Sequence, residues 1–146
     1  MSKNTIKIFT DGACKGNPGL GGWGALIIEN GEETEIYGGS FNTTNNKMEL
    51  TATIEALKYF KNSKIIDLYT DSKYVKNGIT EWINNWKING WKNAAKKSVK
   101  NSELWKELDQ LTSYHKVSWY WVKGHSNHRE NDIADALANK GIDELK

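Results

Sequence analysis

Two short apolar runs in this sequence end alike. Ile8-Phe9-Thr10 leads into Asp11, and Leu68-Tyr69-Thr70 leads into Asp71, each followed by a small residue, Gly12 or Ser72. One such stretch alone reads as a strand giving way to a turn, because Asp, Gly and Ser are turn residues. Two in one chain pose a chemical question, since open α/β sheets carry their chemistry at strand ends. If the two strands are parallel neighbours, about 4.8 Å apart, both carboxylates point into the same few ångströms. Carboxylates that close repel each other unless a proton or a cation lies between them. A hard divalent cation with oxygen ligands is the natural occupant.

A metal site asks for more oxygens. Glu49 sits near the start of a helical pattern, where an acid is also favoured by the helix dipole alone. The segment VKGHSNHRENDIADALA offers His125, His128, Glu130, Asp132 and Asp135 around a helix start. Asp132 and Asp135 are three apart and share roughly one face. Asp132 reads as a helix cap, whereas Asp135, between Ala134 and Ala136, is too deep to cap, and its small flanks suit a close approach to a sheet. His115 and His128 read as surface or structural residues. The Gly-rich DGACKGNPGLGGWG matches neither the Walker pattern nor G-x-G-x-x-G, so it reads as a flexible turn between strands, with Pro18 in a loop.

The elements that must position these residues follow from periodicity. NTIKIFTDG alternates as a strand, and GGWGALIIEN and ETEIYGGSF are two more, joined at NGEE by a tight turn. NNKMELTATIEALKYFKN is a helix whose buried face carries Leu50, Ile54 and Leu57, widened by Met48, Ala52 and Ala56. KIIDLYT is a fourth strand, and Asp71 or Ser72 can cap the helix after it. Asn77 and Gly78 are expected to break that helix before TEWINNWKI. NSELWKELDQLT is a helix opening on cap-type residues, KVSWYWV a fifth strand, and ENDIADALANKG a last helix with Gly141 as its stop. The order β-β-β-α-β-α-α-α-β-α predicts an α/β fold, with an antiparallel meander extended by parallel strands into a mixed sheet flanked by helices.

Composition sets the bounds. The 146 residues, 38% hydrophobic and 26% charged, suit one globular domain over 1–146. No apolar run approaches the ~20 residues of a membrane span, and MSKNTIKIF has no signal-peptide core. Cys14 is the only cysteine, so no intrachain disulfide forms and a reducing, cytoplasmic setting is expected. The net charge of +2 hides its distribution: residues 87–100 carry five lysines and no acid, which leaves −3 on the rest. This basic lobe, about 82–101, interleaves Trp82, Trp86 and Trp91 with lysines, and a polyanion is its expected partner. The two tryptophans Trp82 and Trp86, four apart, also suit packing on one helix face.

FTDGACKGNPGLGGWGA, NNKMELTA, LYTDSKYV and VKGHSNHRENDIADALA, in this order and at this spacing, resemble type 1 ribonuclease H over nearly the whole chain. The resemblance implies a ribonuclease H-like five-stranded mixed sheet and hydrolysis of the RNA strand of RNA–DNA hybrids, leaving 5′-phosphate and 3′-hydroxyl ends. It places four metal-binding carboxylates on Asp11, Glu49, Asp71 and Asp135 and a catalytic loop histidine on His125. Two Mg²⁺ ions, with Mn²⁺ as a substitute, are the implied cofactors; Asp11 is assigned as the bridging ligand, Asp135 to the water-side ion, and Glu49 and Asp71 to the other. Gly12, Cys14, Asn17, Asn45 and Asn46 are placed against the RNA 2′-hydroxyls. Position 73 departs from the pattern: Lys73 stands where bacterial relatives commonly have glutamine, so a bidentate amide contact is lost while a phosphate contact remains open. Trp82 and Trp86 are expected to shape a groove for Lys87, Lys92, Lys96, Lys97 and Lys100, which would meet DNA-strand phosphates, and no room for an added N-terminal hybrid-binding domain is expected. The protein is expected to be a monomer with no membrane partner. Rival readings are a resolvase- or integrase-like nuclease, a small-phosphate ATPase, and a hybrid-binding module without catalysis.

Overall fold

The computed structural model describes residues 5–16, 18–93, 95–122 and 128–145. Three antiparallel strands come first: β1 (Ile6–Gly16), β2 (Gly19–Glu29) and β3 (Glu32–Thr43). Asn30 and Gly31 turn β2 into β3 with φ of 53° and 81°, the positive pair that a tight hairpin needs. Helix α1 (Asn45–Lys58) comes next, capped by the Thr44 hydroxyl, which accepts from the Lys47 N–H. Strand β4 (Ile65–Thr70) then runs parallel to β1, and after α2 (Lys73–Asn77), α3 (Ile83–Ile88) and α4 (Ser102–Tyr114), β5 (Lys116–Trp121) runs parallel to β4. Helix α5 (Arg129–Asp143) closes the described chain. The sheet order is β3-β2-β1-β4-β5, the mixed sheet that the sequence pattern predicts.

Strand alternation sorts the core into two layers. Ile6, Ile8, Ile66 and Leu68 pack against Leu50, Ile54 and Leu57 of α1 and Trp105 and Leu108 of α4. On the opposite face, Phe9 and Leu26 pack with Ala134 of α5. His115 is a buried fastener: its Nδ1 accepts from the Lys64 N–H at 3.0 Å, which leaves Nε2 to donate to the Leu57 carbonyl at 3.0 Å.

Several local expectations change. The Gly-rich stretch is mostly strand, with β1 and β2 paired as far as Gly16 opposite Gly19. Its glycines serve close packing: a Cβ on Gly22 would lie 2.0 Å from the Ala138 carbonyl oxygen. Gly141 lies inside α5, where a Cβ would meet the Gly38 carbonyl oxygen at 2.1 Å, so it admits β3 instead of stopping the helix. Gly78 likewise does not break the chain's helical path. It opens one π-helical turn (Gly78–Trp82) between α2 and α3, and the ring of Trp105 occupies the space a side chain would need. Ser72, not Asp71, caps α2, its hydroxyl accepting from the Val75 N–H. His128, not Asp132, caps α5, its Nδ1 accepting from the Asn131 N–H. Asn101 precedes α4 without capping it and spends its amide on the Tyr74 hydroxyl at 3.1 Å.

Candidate functional site

The parallel pairing of β1 with β4 ends at Thr10 opposite Thr70, one residue before each aspartate. Beyond that point β1 continues against β2 alone, so Asp11 lies within its strand while Asp71 lies just past the end of β4. Both project where the two strands part. Glu49 reaches the same point from the first turns of α1. One carboxylate oxygen from each of Asp11, Glu49 and Asp71 lies within 4.8 Å of the others. Asp135, exposed on α5, stands outside that group of three and meets Asp11 from the opposite layer through a hydrogen bond.

The electrostatics are severe. Asp11 is 5% exposed and Glu49 6%. Burial, then the charge of Asp71, then the hydrogen bond and charge of Asp135 push the Asp11 carboxyl from its ordinary 3.8 up to about 9. The Gly12 N–H, donating to Asp11 Oδ1 at 2.9 Å, opposes the rise. Burial and the charges of Asp11 and Asp71 push Glu49 well above its ordinary value. Glu49 Oε1 is buried with no hydrogen-bond partner. A buried carboxylate oxygen without a partner is costly to the protein alone. A cation between these acids removes both the orphaned oxygen and the repulsion. An all-oxygen donor set selects hard ions of the Mg²⁺ or Mn²⁺ kind.

These residues fall within the match of the RNase H family model, which covers residues 3–143. The chain belongs to the ribonuclease H family. It is 60% identical over 143 residues to the ribonuclease H of Francisella tularensis subsp. novicida (strain U112), covering 98% of this chain and 94% of that one. Among solved structures it is similar to LC9-RNase H1, a type 1 RNase H with the type 2 active-site motif. That match has 30% identity and a TM-score of 0.87, and it covers 100% of this chain and 75% of the other. LC11-RNase H1, solved in complex with an RNA/DNA hybrid, shares the fold at 23% identity with a TM-score of 0.71, covering 96% and 98%. Membership makes the chain a metal-dependent endoribonuclease that cuts the RNA strand of RNA–DNA hybrids.

The other residues to which the ribonuclease H resemblance points separate by location. His125 and Asn17 lie outside the described residues. Gly12 is buried against α1, and the Cys14 thiol donates to the Thr43 carbonyl at 3.3 Å. Asn45 and Asn46, exposed at the start of α1, line a groove of about 220 Å³ with Thr44, Lys47, Lys100 and Asn101. The first turn of α1 and the last part of the basic lobe thus face one another. Lys92, Lys96, Lys97 and Lys100 are exposed, whereas Lys87 is paired with Asp109 at 3.3 Å. Trp82 and Trp86 both pack edge-on within an aromatic cluster: Trp86 meets Trp105 at 5.3 Å between ring centroids, and Trp82 meets Tyr74 at 5.9 Å. Trp105 is fully buried and anchors that cluster, a role that the apolar periodicity of α4 signals. Asn93 holds the lobe's turn, its side-chain oxygen accepting from the Ala95 and Lys97 N–H groups. Lys73 is exposed at the first position of α2. Trp121 and Lys76, at the edge of the site, are not among the residues the sequence pattern selects.

Proposed function

We propose that this chain cuts the RNA strand with two divalent cations, Mg²⁺ by preference, and leaves 5′-phosphate and 3′-hydroxyl ends. The observation that carries this reading is the convergence of Asp11, Glu49 and Asp71 within 4.8 Å, with Asp135 hydrogen-bonded to Asp11. Asp11, at the centre, would be a ligand to both ions, with Asp135 toward the water side and Glu49 and Asp71 toward the other. Ions bound there would supply an activated water and positive charge against the charge that develops on the phosphate and the leaving oxygen. Asp11 and Glu49 would have to give up their protons to hold the ions, and the Gly12 N–H keeps Asp11 oriented. His125 moves a proton or assists product departure.

Substrate selection in this proposal rests on the wide minor groove of a hybrid, which displays 2′-hydroxyls. Gly12, Cys14, Asn17, Asn45 and Asn46 read them. The groove that joins Asn45 and Asn46 to Lys100 supports a duplex lying between α1 and the lobe. Trp82 and Trp86 shape the lobe, and Lys87, Lys92, Lys96, Lys97 and Lys100 meet DNA-strand phosphates without reading sequence. Lys73 meets a phosphate or sugar of the RNA strand. A single domain, a monomeric state and a cytoplasmic location belong to the same proposal.

The test is a gel assay on end-labelled hybrid, double-stranded RNA and double-stranded DNA, with Mg²⁺ or EDTA. Cleavage confined to the hybrid, abolished by EDTA and leaving ends that accept 3′-extension is the expected result. Equal cutting of duplex DNA, or activity that survives chelation, overturns the reading.

A further inference from the structure

Trp121 ends β5 with Thr70 as its partner across the ladder, which puts the indole at the same end of the sheet as Asp71. Its Nε1–H donates to the Asp71 backbone carbonyl at 3.4 Å. Two ammonium groups from α2 lie over its ring, Lys73 Nζ at 5.7 Å and Lys76 Nζ at 5.9 Å from the centroid. The two lysines are three apart and share a helix face. The start of α2 is held by the Ser72 cap. Lys58, Lys87 and Arg129 are each neutralised by a carboxylate. Among the described residues no carboxylate lies within ion-pair distance of Lys73 or Lys76. The ring attracts both cations through its quadrupole but does not cancel their charge. Two like charges are therefore gathered over a ring that is itself tied to the backbone of Asp71.

We infer that Lys73, Lys76 and Trp121 form an anion bracket for one backbone phosphate of the strand being cut, flanking the phosphate that reacts at the acid cluster. The inference rests on the hybrid-cutting reading above and adds Lys76 and Trp121 to it. A strand that crosses the acids presents anions at regular intervals, and the bracket stands beside that path. The indole, 39% exposed, thus serves as a platform on which the two cations rest. Ammonium groups are point-charge phosphate donors. Such contacts fix register and carry no sequence information. Lys76 and Trp121 are thus positioning residues: they act on where the strand lies, and the acids act on the bond.

The experiment uses the full chain and a hybrid with one dominant cut site. Single uncharged methylphosphonate linkages are walked along the RNA strand on either side of that site. Wild type loses about tenfold in kcat/KM when the linkage replaces the bracketed phosphate, and little at its neighbours. Lys76→Met keeps the aliphatic stem but loses the charge. It raises KM on the unmodified hybrid about tenfold at nearly unchanged kcat, lowers the salt slope by roughly one, and becomes insensitive to that one linkage. Lys76→Arg restores the sensitivity. Trp121→Leu, which frees both lysines, gives a smaller rise in KM at the same linkage position. A Lys76→Met enzyme with the wild-type KM, salt slope and linkage profile overturns the bracket while leaving the hybrid-cutting function intact. Wild type that neither binds nor cuts the hybrid overturns both.

Discussion

Asp11→Asn in the metal-free protein tests the electrostatic reading of the site. An aspartate held at about 9 in the folded chain and at its ordinary 3.8 in the unfolded chain is protonated in one state and ionised in the other across that interval. The folded state then binds more protons, so stability is fully present below 3.8 and falls as pH rises toward 9. The slope reaches about 1.4 kcal/mol per pH unit. At pH 7, about three units into the window, the linked loss is ~4 kcal/mol. Glu49 adds to it with the same sign. Asparagine keeps the size of the side chain and an oxygen for the Gly12 N–H, while it removes the ionisation that the unfolded aspartate would gain. We expect the variant to be more stable than wild type by ~2–4 kcal/mol at pH 7 in EDTA, roughly 5–15 °C in Tm. The gain shrinks toward zero near pH 4.

The assay is thermal unfolding of both proteins from pH 4 to 9, in EDTA and in millimolar Mg²⁺. Wild type gains RT ln(1 + [L]/Kd) from the ion; the variant gains much less and does not cut. A variant that melts below wild type at pH 7 in EDTA refutes the argument. So does an advantage that fails to grow with pH, because Asp11 would then be supported in its charged form. A variant that gains as much from Mg²⁺ as wild type removes Asp11 as the shared ligand.

Three further outcomes are expected. Neutralising Lys92, Lys96 and Lys97 together weakens hybrid binding more than it lowers saturated turnover, and flattens the salt dependence by about 0.9 per lost phosphate contact on the B-DNA value; an unchanged slope in a binding titration would make the lobe a solvated face. His125→Ala lowers kcat by about 10²-fold or more without abolishing it, and a folded, metal-binding but inactive variant in single-turnover kinetics would make the histidine indispensable. Gly24→Ala places a Cβ 2.4 Å from Leu137 Cβ and 2.7 Å from the Ala134 carbonyl oxygen, so it destabilises by ~1–3 kcal/mol and lowers kcat even well below its Tm; full activity at 25 °C would show that α5 can shift without moving Asp135.

The sequence pattern carries the strands and the α1 face because both depend on local periodicity. Ile6 and Ile8 alternate with Lys7 and Phe9, and Leu50, Ile54 and Leu57 recur at helical spacing, with the isoleucines and the α1 residues all buried in the fold. The Thr-Asp pair is legible for a further reason. The parallel pairing of β1 with β4 stops at Thr10 opposite Thr70, so the next residue of each strand, Asp11 and Asp71, meets its counterpart where the strands part. The glycines are not legible in this way. Gly141 at a helix end and Gly78 inside one carry the same local signal as a stop, and only the neighbour across the gap, Gly38 or Trp105, decides otherwise. Caps show the same limit. Asp132 and Asn101 are good capping types, but His128 already bonds the Asn131 N–H and Tyr74 already takes the Asn101 amide. The burial of Glu49 is equally hidden, since a helix acid near an N-terminus looks like a solvated one until its oxygen is found without a partner.

The same kind of close glycine contact explains how acids from opposite layers reach one point. Gly12 follows Asp11 in β1, and a Cβ there would lie 2.5 Å from the Glu49 backbone nitrogen. Gly24 faces Asp11 across the β1–β2 ladder, and a Cβ there would press on Ala134 and Leu137. The missing side chain at Gly12 lets α1 settle onto the sheet at Glu49; the missing side chain at Gly24 lets α5 settle at the turn that carries Asp135. Each helix brings one carboxylate to the same aspartate. Packing density is what makes that approach specific, since backbone in van der Waals contact leaves no slack for the helix to drift. The crowding of Asp11, Glu49 and Asp71 is held in place by these contacts and by the two apolar layers of the core. Gly12 and Gly24 therefore shape a metal site to which neither contributes a side chain.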